Sequence, residues 1–173
     1  MTFREIFGNL SGPVAITIGL ALGGLWAWEQ RRKRRVRAVA MDTTDPIWLA
    51  ALERARSSVP RFRELAAAHP ASAFIKFALQ TTAGATEHVW GPVISIREDV
   101  ITAGLETPPI HGKPASAPPY EVQMTTVEDW RVETPDGRIY GAYSARAQIA
   151  YARKMGYAVP SHMLQIEKNI VDA

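Results

Sequence analysis

The chain has 173 residues, a formal net charge of +3, 47% hydrophobic residues and no cysteine. The missing cysteine excludes disulfides and thiolate metal sites. The charge is unevenly placed. From Glu29 to Ala40 the net is +5 (six basic residues, one acidic), and from Met41 onward it is −2 (13 basic, 15 acidic). The basic excess therefore belongs to one short flank, which argues against nucleic acid as a partner.

Leu10 to Trp28 is an uncharged apolar run, closed by Trp26 and Trp28. As a helix it would span about 28 Å, close to the hydrocarbon thickness of a bilayer. Pro13 suits a first helical turn. The block Arg31, Arg32, Lys33, Arg34, Arg35 and Arg37 follows at once, whereas only Arg4, offset by Glu5, precedes the run. A removed signal peptide would carry its charge before the apolar stretch and a small-residue cleavage site directly after it. The expectation is an uncleaved single-pass anchor over 10–30. Residues 1–9 would lie outside, the basic segment 31–45 on anionic headgroups, and the rest in the cytoplasm. Gly19 and Gly23 have a small-xxx-small spacing through which two such helices can pair as a homodimer, although glycine is also simply common in membrane helices.

The remaining chain, about 130 residues, suffices for one domain. Asp45-Pro46 reads as an N-cap and first helical residue, opening a helix through Arg56. Ser58-Val59-Pro60 interrupts it, and a second helix covers Arg61 to Ala68, stopped at His69-Pro70. The period then changes from 3.6 to 2. Ile75, Phe77 and Leu79 share one face of a strand, with Lys76 and Gln80 on the other. Gly84 marks a turn, and Thr86 to Trp90 returns. Val93 to Ile96 continues after Gly91-Pro92, where proline implies an edge or a bulge.

Arg97 to Leu105 has no clear period and fits one helical turn. Thr107 to Pro119 is a proline-rich loop. Tyr120 to Val127 alternates as a strand. Trp130 to Glu133 runs into Thr134-Pro135-Asp136-Gly137, which has type I turn chemistry. Arg138 to Tyr143 returns as a strand. Ser144 to Met155 is a helix closed by Gly156, and 157–173 is a tail with at most a short helix. The sum is an α+β domain over 46–156, with helices packed on a mostly antiparallel sheet.

On the strand Glu87-His88-Val89-Trp90, period 2 puts His88 and Trp90 on one face and Glu87 and Val89 on the other. His88 there either binds a ligand or packs with one hydrogen bond. Asp129 can orient His88, pair with Arg146, or cap a turn. Ser144 suits a helix cap better than a nucleophile. Trp90 and Trp130 read as core aromatics. His69, His88, His111 and His162 are scattered without metal spacing, and no phosphate loop or dinucleotide fingerprint is present, so neither metal nor cofactor is expected.

These residues also carry a resemblance. Lys76, then Glu87, His88 and Trp90, then Gly104, Leu105 and Pro108, then Asp129 and Trp130, then Gly137, Gly141, Tyr143 and Arg146 follow in order the pattern of a bacterial family, the domain of unknown function 2314. The chain resembles that family over about Pro46 to Gly156. It departs at Lys113 to Pro119, where the family has Gly-Asp, and at Ala142 and Ser144, where the family has Gly and Thr. The resemblance implies a compact α+β fold and a set of residues worth testing, and no activity.

The expected role is therefore a non-catalytic binding module for a protein or small ligand at the membrane. Its candidate cluster is Lys76, Glu87, His88, Trp90, Asp129, Trp130 and Arg146. The alternatives are a small hydrolase using His88 and Asp129, and a structural subunit self-associating through Gly19 and Gly23.

Overall fold

The computed structural model describes residues 42–106 and 108–172. The expected anchor over 10–30, the basic block that follows it and the Gly19/Gly23 pair lie outside these. Among the described residues no helix is long and apolar enough to cross a membrane.

The first helix begins where its cap dictates. The Asp45 carboxylate accepts the Ile47 N–H at 2.8 Å, Pro46 needs no partner, and α1 runs over Pro46–Ser57. After the break at Ser58, α2 covers Val59–Ala68. A 3-10 turn then leads into β1 (Ala73–Gln80).

β2 is a single long strand, Thr86–Arg97, rather than two pieces. It lies inside the sheet, and its pairing with β3 shifts register between Val93 and Ser95. Pro92 is tolerated at this bulge. Its carbonyl accepts the Gly104 N–H, so its missing N–H faces the same segment, beyond the end of β3. Gly91 is required here, since a Cβ would sit 2.2 Å from the Gly104 carbonyl oxygen.

The expected helical turn at 97–105 is corrected. β3 (Val100–Ala103) pairs with β2 across a two-residue turn at Glu98-Asp99. Glu98 takes φ 51 there, a conformation that glutamate does not advertise. β4 is shorter than its alternation suggests: Tyr120–Gln123 is strand and Met124–Thr126 a 3-10 turn.

β5 (Asp129–Glu133) and β6 (Ile139–Gly141) flank the expected turn, in which the Gly137 N–H donates to the Thr134 carbonyl. α3 covers Tyr143–Lys154, and Gly156 follows with φ 70. The tail is more ordered than a frayed end: α4 (Ser161–Asn169) leads to β7 (Ile170–Val171), which pairs in parallel with β6.

The strands form one seven-stranded sheet in the order β4-β3-β2-β1-β5-β6-β7. Every pair but the last is antiparallel. This is the α+β class that the sequence implies. Ile75, Phe77, Leu79, Val89, Ile101, Val122, Trp130 and Val132 are buried with Phe62, Leu65 and Ala66 of α2 in one core cluster. Trp130 is fully buried at its centre. Its ring lies 5.4 Å from Phe62 and 5.9 Å from Tyr143, and its Nε1–H donates to the Ala55 carbonyl and the Ser58 hydroxyl. A wholly buried aromatic side chain of this kind contributes roughly 1.5–3 kcal/mol by transfer alone.

Candidate binding cleft on the second face of the sheet

The residues that alternate with this core point to the opposite face. Register sets Lys76 of β1 beside Trp90 of β2 and Asp129 of β5, and Phe74 beside Arg131. β1 lies between β2 and β5 in the sheet, so side chains distant in sequence become neighbours. The first turn of α3 and one side of α4 border this face. Between them is a cleft of about 490 Å³, lined among others by Lys76, Trp90, Arg131, Gln148, His162 and Met163.

Two cations shape the cleft. The Arg131 guanidinium carbon lies 4.4 Å from the Phe74 ring centroid and 5.1 Å from that of Trp90. Both rings hold the guanidinium by cation–π attraction. One of its nitrogens contacts the Glu106 carboxylate at 2.7 Å, in a partly exposed pair. Lys76 is only 9% exposed. Its Nζ lies 4.9 Å from the Trp48 ring centroid. Among the described residues it has no hydrogen-bond or ion-pair partner. Burial pushes its pKa down, against the pull of the Glu128 and Asp129 charges.

The expected cluster does not converge as a unit. Lys76 and Trp90 line the cleft, and Trp90 is a half-buried wall rather than a core aromatic. His88 stands on the same face, but its Nδ1 contacts Glu128 at 2.8 Å, not Asp129. Glu87 faces the other way, and its carboxylate accepts the N–H groups of Ile110 and His111, which pins the proline-rich loop to β2. These bonds hold the Glu87 carboxyl below its ordinary pKa.

Asp129 is 1% exposed and neither orients His88 nor pairs with Arg146. Its oxygens accept the N–H groups of Trp130, Tyr143 and Ser144, so it caps α3 from a neighbouring strand. This replaces the expected local cap by Ser144. Burial drives the Asp129 pKa up, and the bonds from Ser144, Trp130 and Tyr143 oppose it. Trp130 belongs to the core on the opposite face. Arg146 binds the tail, contacting Asp172 Oδ1 at 2.6 Å and the Val171 carbonyl.

Arg131 and Phe74 are the cleft residues to which the sequence does not point. The alternation Asp129-Arg131-Glu133 does place Arg131 opposite Trp130, but nothing local says that Phe74 and Trp90 flank it. Among the described residues no group of three or more His, Asp or Glu could hold a metal ion. Chemically, the arrangement is a concave, partly apolar floor with two cationic donors. The chain matches no family model, and comparison with curated proteins and with solved structures finds no match.

Proposed function

We propose that this chain is a non-catalytic binding module, held at the cytoplasmic face of a bacterial inner membrane by a helix over 10–30 and by its basic flank on anionic headgroups. The observation that carries the binding role is the cleft: two cations of the sheet, one lying over two aromatic rings and one on a buried lysine whose ammonium has no hydrogen-bond or ion-pair partner among the described residues, at a concave surface. Asp129 is committed to capping α3, and His88 is held by Glu128 outside the cleft lining. We also propose membership of the domain of unknown function 2314 family. Ala142 supports it: this residue takes φ 53, a conformation glycine adopts freely, where the family pattern has glycine.

The test is co-purification from solubilised membranes with the wild type and a Trp90→Ala/Arg131→Ala variant of confirmed fold. A bound protein or small molecule retained by the wild type and lost by the variant is the expected result. A turnover that disappears in His88→Ala while the fold survives overturns the non-catalytic reading. A reporter fused after Ala173 and found outside the cytoplasm overturns the orientation.

A further inference from the structure

We propose that the cleft receives a small organic monocarboxylate, its carboxylate on Arg131 and Lys76 and its apolar body against Trp90, Met163 and Ile166. This rests on the binding-module reading and specifies its ligand.

The head-group argument starts with Arg131. Its guanidinium lies over the Phe74 and Trp90 rings, and these contacts restrict its position before any ligand arrives. Such a fork matches a carboxylate with two parallel hydrogen bonds. Glu106 occupies part of that edge, but the pair is about one-third exposed on both sides, where an ion pair is weak and exchangeable.

Lys76 supplies the second contact. The Lys76 residue is nine-tenths buried, and a largely desolvated ammonium gains from a counter-ion. Its two nearby carboxylates are already engaged, Glu128 by His88 and Asp129 by three backbone N–H groups. A ligand carboxylate would be its first direct partner among the described residues.

The acidic groups around the cleft favour a ligand of one negative charge over a dianion. Glu133 also lines the cleft, and Glu128 and Asp129 act on Lys76 from beside it. A phosphate dianion would meet this acidic surround with twice the charge of a carboxylate, and Glu106 and Glu133 leave the two cations little positive excess to hold it. The rest of the lining is His162 and apolar or uncharged side chains, among them Phe74, Ile139, Met163 and Ile166. A volume of about 490 Å³ suits a ligand with a short acyl or single-ring body.

The experiment is calorimetric titration of the full-length protein in detergent with octanoate, benzoate, their uncharged amides and inorganic phosphate. At least one carboxylate is expected to bind saturably and at least tenfold tighter than its amide and than phosphate. Lys76→Met and Arg131→Gln should each weaken it tenfold or more while circular dichroism and melting stay native. If Lys76→Met does not fold, Arg131→Gln, whose site is partly exposed, carries the test. An amide that binds as tightly as its acid, or phosphate that binds more tightly, overturns the carboxylate assignment and leaves the cleft as a binding site. No saturable binding of any probe also overturns it. The binding-module reading is then judged separately, by whether the Trp90→Ala/Arg131→Ala variant loses what the wild type co-purifies.

Discussion

The two faces of β5 do opposite work. Trp130 and Val132 point into the core, where Trp130 satisfies its only side-chain donor on Ala55 and Ser58 and packs on Phe62. Arg131 and Glu133 point to the cleft, where the Arg131 guanidinium is held by aromatic rings instead of being buried among them. Asp129 shares that second face but is sealed by the start of α3. Polar groups on one strand thus divide into one that secures the fold and others that remain available. Burial and prior hydrogen bonding separate them, not residue type.

Substitutions on the two faces should differ accordingly. The largest effect is expected from Trp130→Ala, which opens a cavity at the centre of the core and should cost about 3–5 kcal/mol in denaturant unfolding. A cost below about 1 kcal/mol would mean that the core is not organised around this ring.

Next comes Asp129→Ala, which strands the N–H groups of Trp130, Tyr143 and Ser144 and should cost about 2–3 kcal/mol at neutral pH. The wild type adds a pH signature. The folded pKa of Asp129 lies above its ordinary 3.8, so the folded state binds more protons in the window between them. Its contribution to stability is therefore greatest at the acid end and declines as pH rises through that window. In the Ala variant this component should be absent from the stability profile.

Lys76→Met should act in the other direction. Removing the charge of a buried lysine that has no hydrogen-bond or ion-pair partner among the described residues, at nearly constant volume, should leave stability unchanged or raise it by about 1 kcal/mol at neutral pH. The folded pKa of Lys76 lies below 10.5, so the unfolded chain binds more protons between the two values and wild-type stability rises with pH across that window. The variant should lack the rise. A loss of several kcal/mol at neutral pH would instead identify Lys76 as part of the structural face.

The smallest effect is expected from His88→Ala. The His88 side chain is 57% exposed and its pair with Glu128 is superficial, so stability should move by about 0.5 kcal/mol or less. A larger change would show that the second face also contributes to folding at its far end.

Much of the local structure was legible in the chain. Asp45-Pro46 announces α1, Thr134 to Gly137 announces the β5–β6 turn, and Gly156 announces the end of α3. Each is a signal among residues within a few positions of one another. The alternation of Ile75, Phe77 and Leu79, and of His88 against Glu87, also assigns the right faces. β3 escapes because Glu98 adopts a positive φ without being glycine. β7 escapes because a two-residue strand is too short to show a period.

The site was much less legible, for a different reason. Period and caps are properties of one segment, so the sequence by itself determines element types, faces and ends. Whether His88 meets Asp129 or Glu128 depends on where β5 sits, and that is decided by strand order. Placing β1 between β2 and β5 brings Phe74, Trp90 and Arg131 together, and starting α3 beside Asp129 removes that carboxylate from any solvent-facing role. Arg146 goes to the tail because β7 presents Val171 and Asp172 to it. These are long-range pairings, set by which apolar faces can be buried together, and only the tertiary structure decides them.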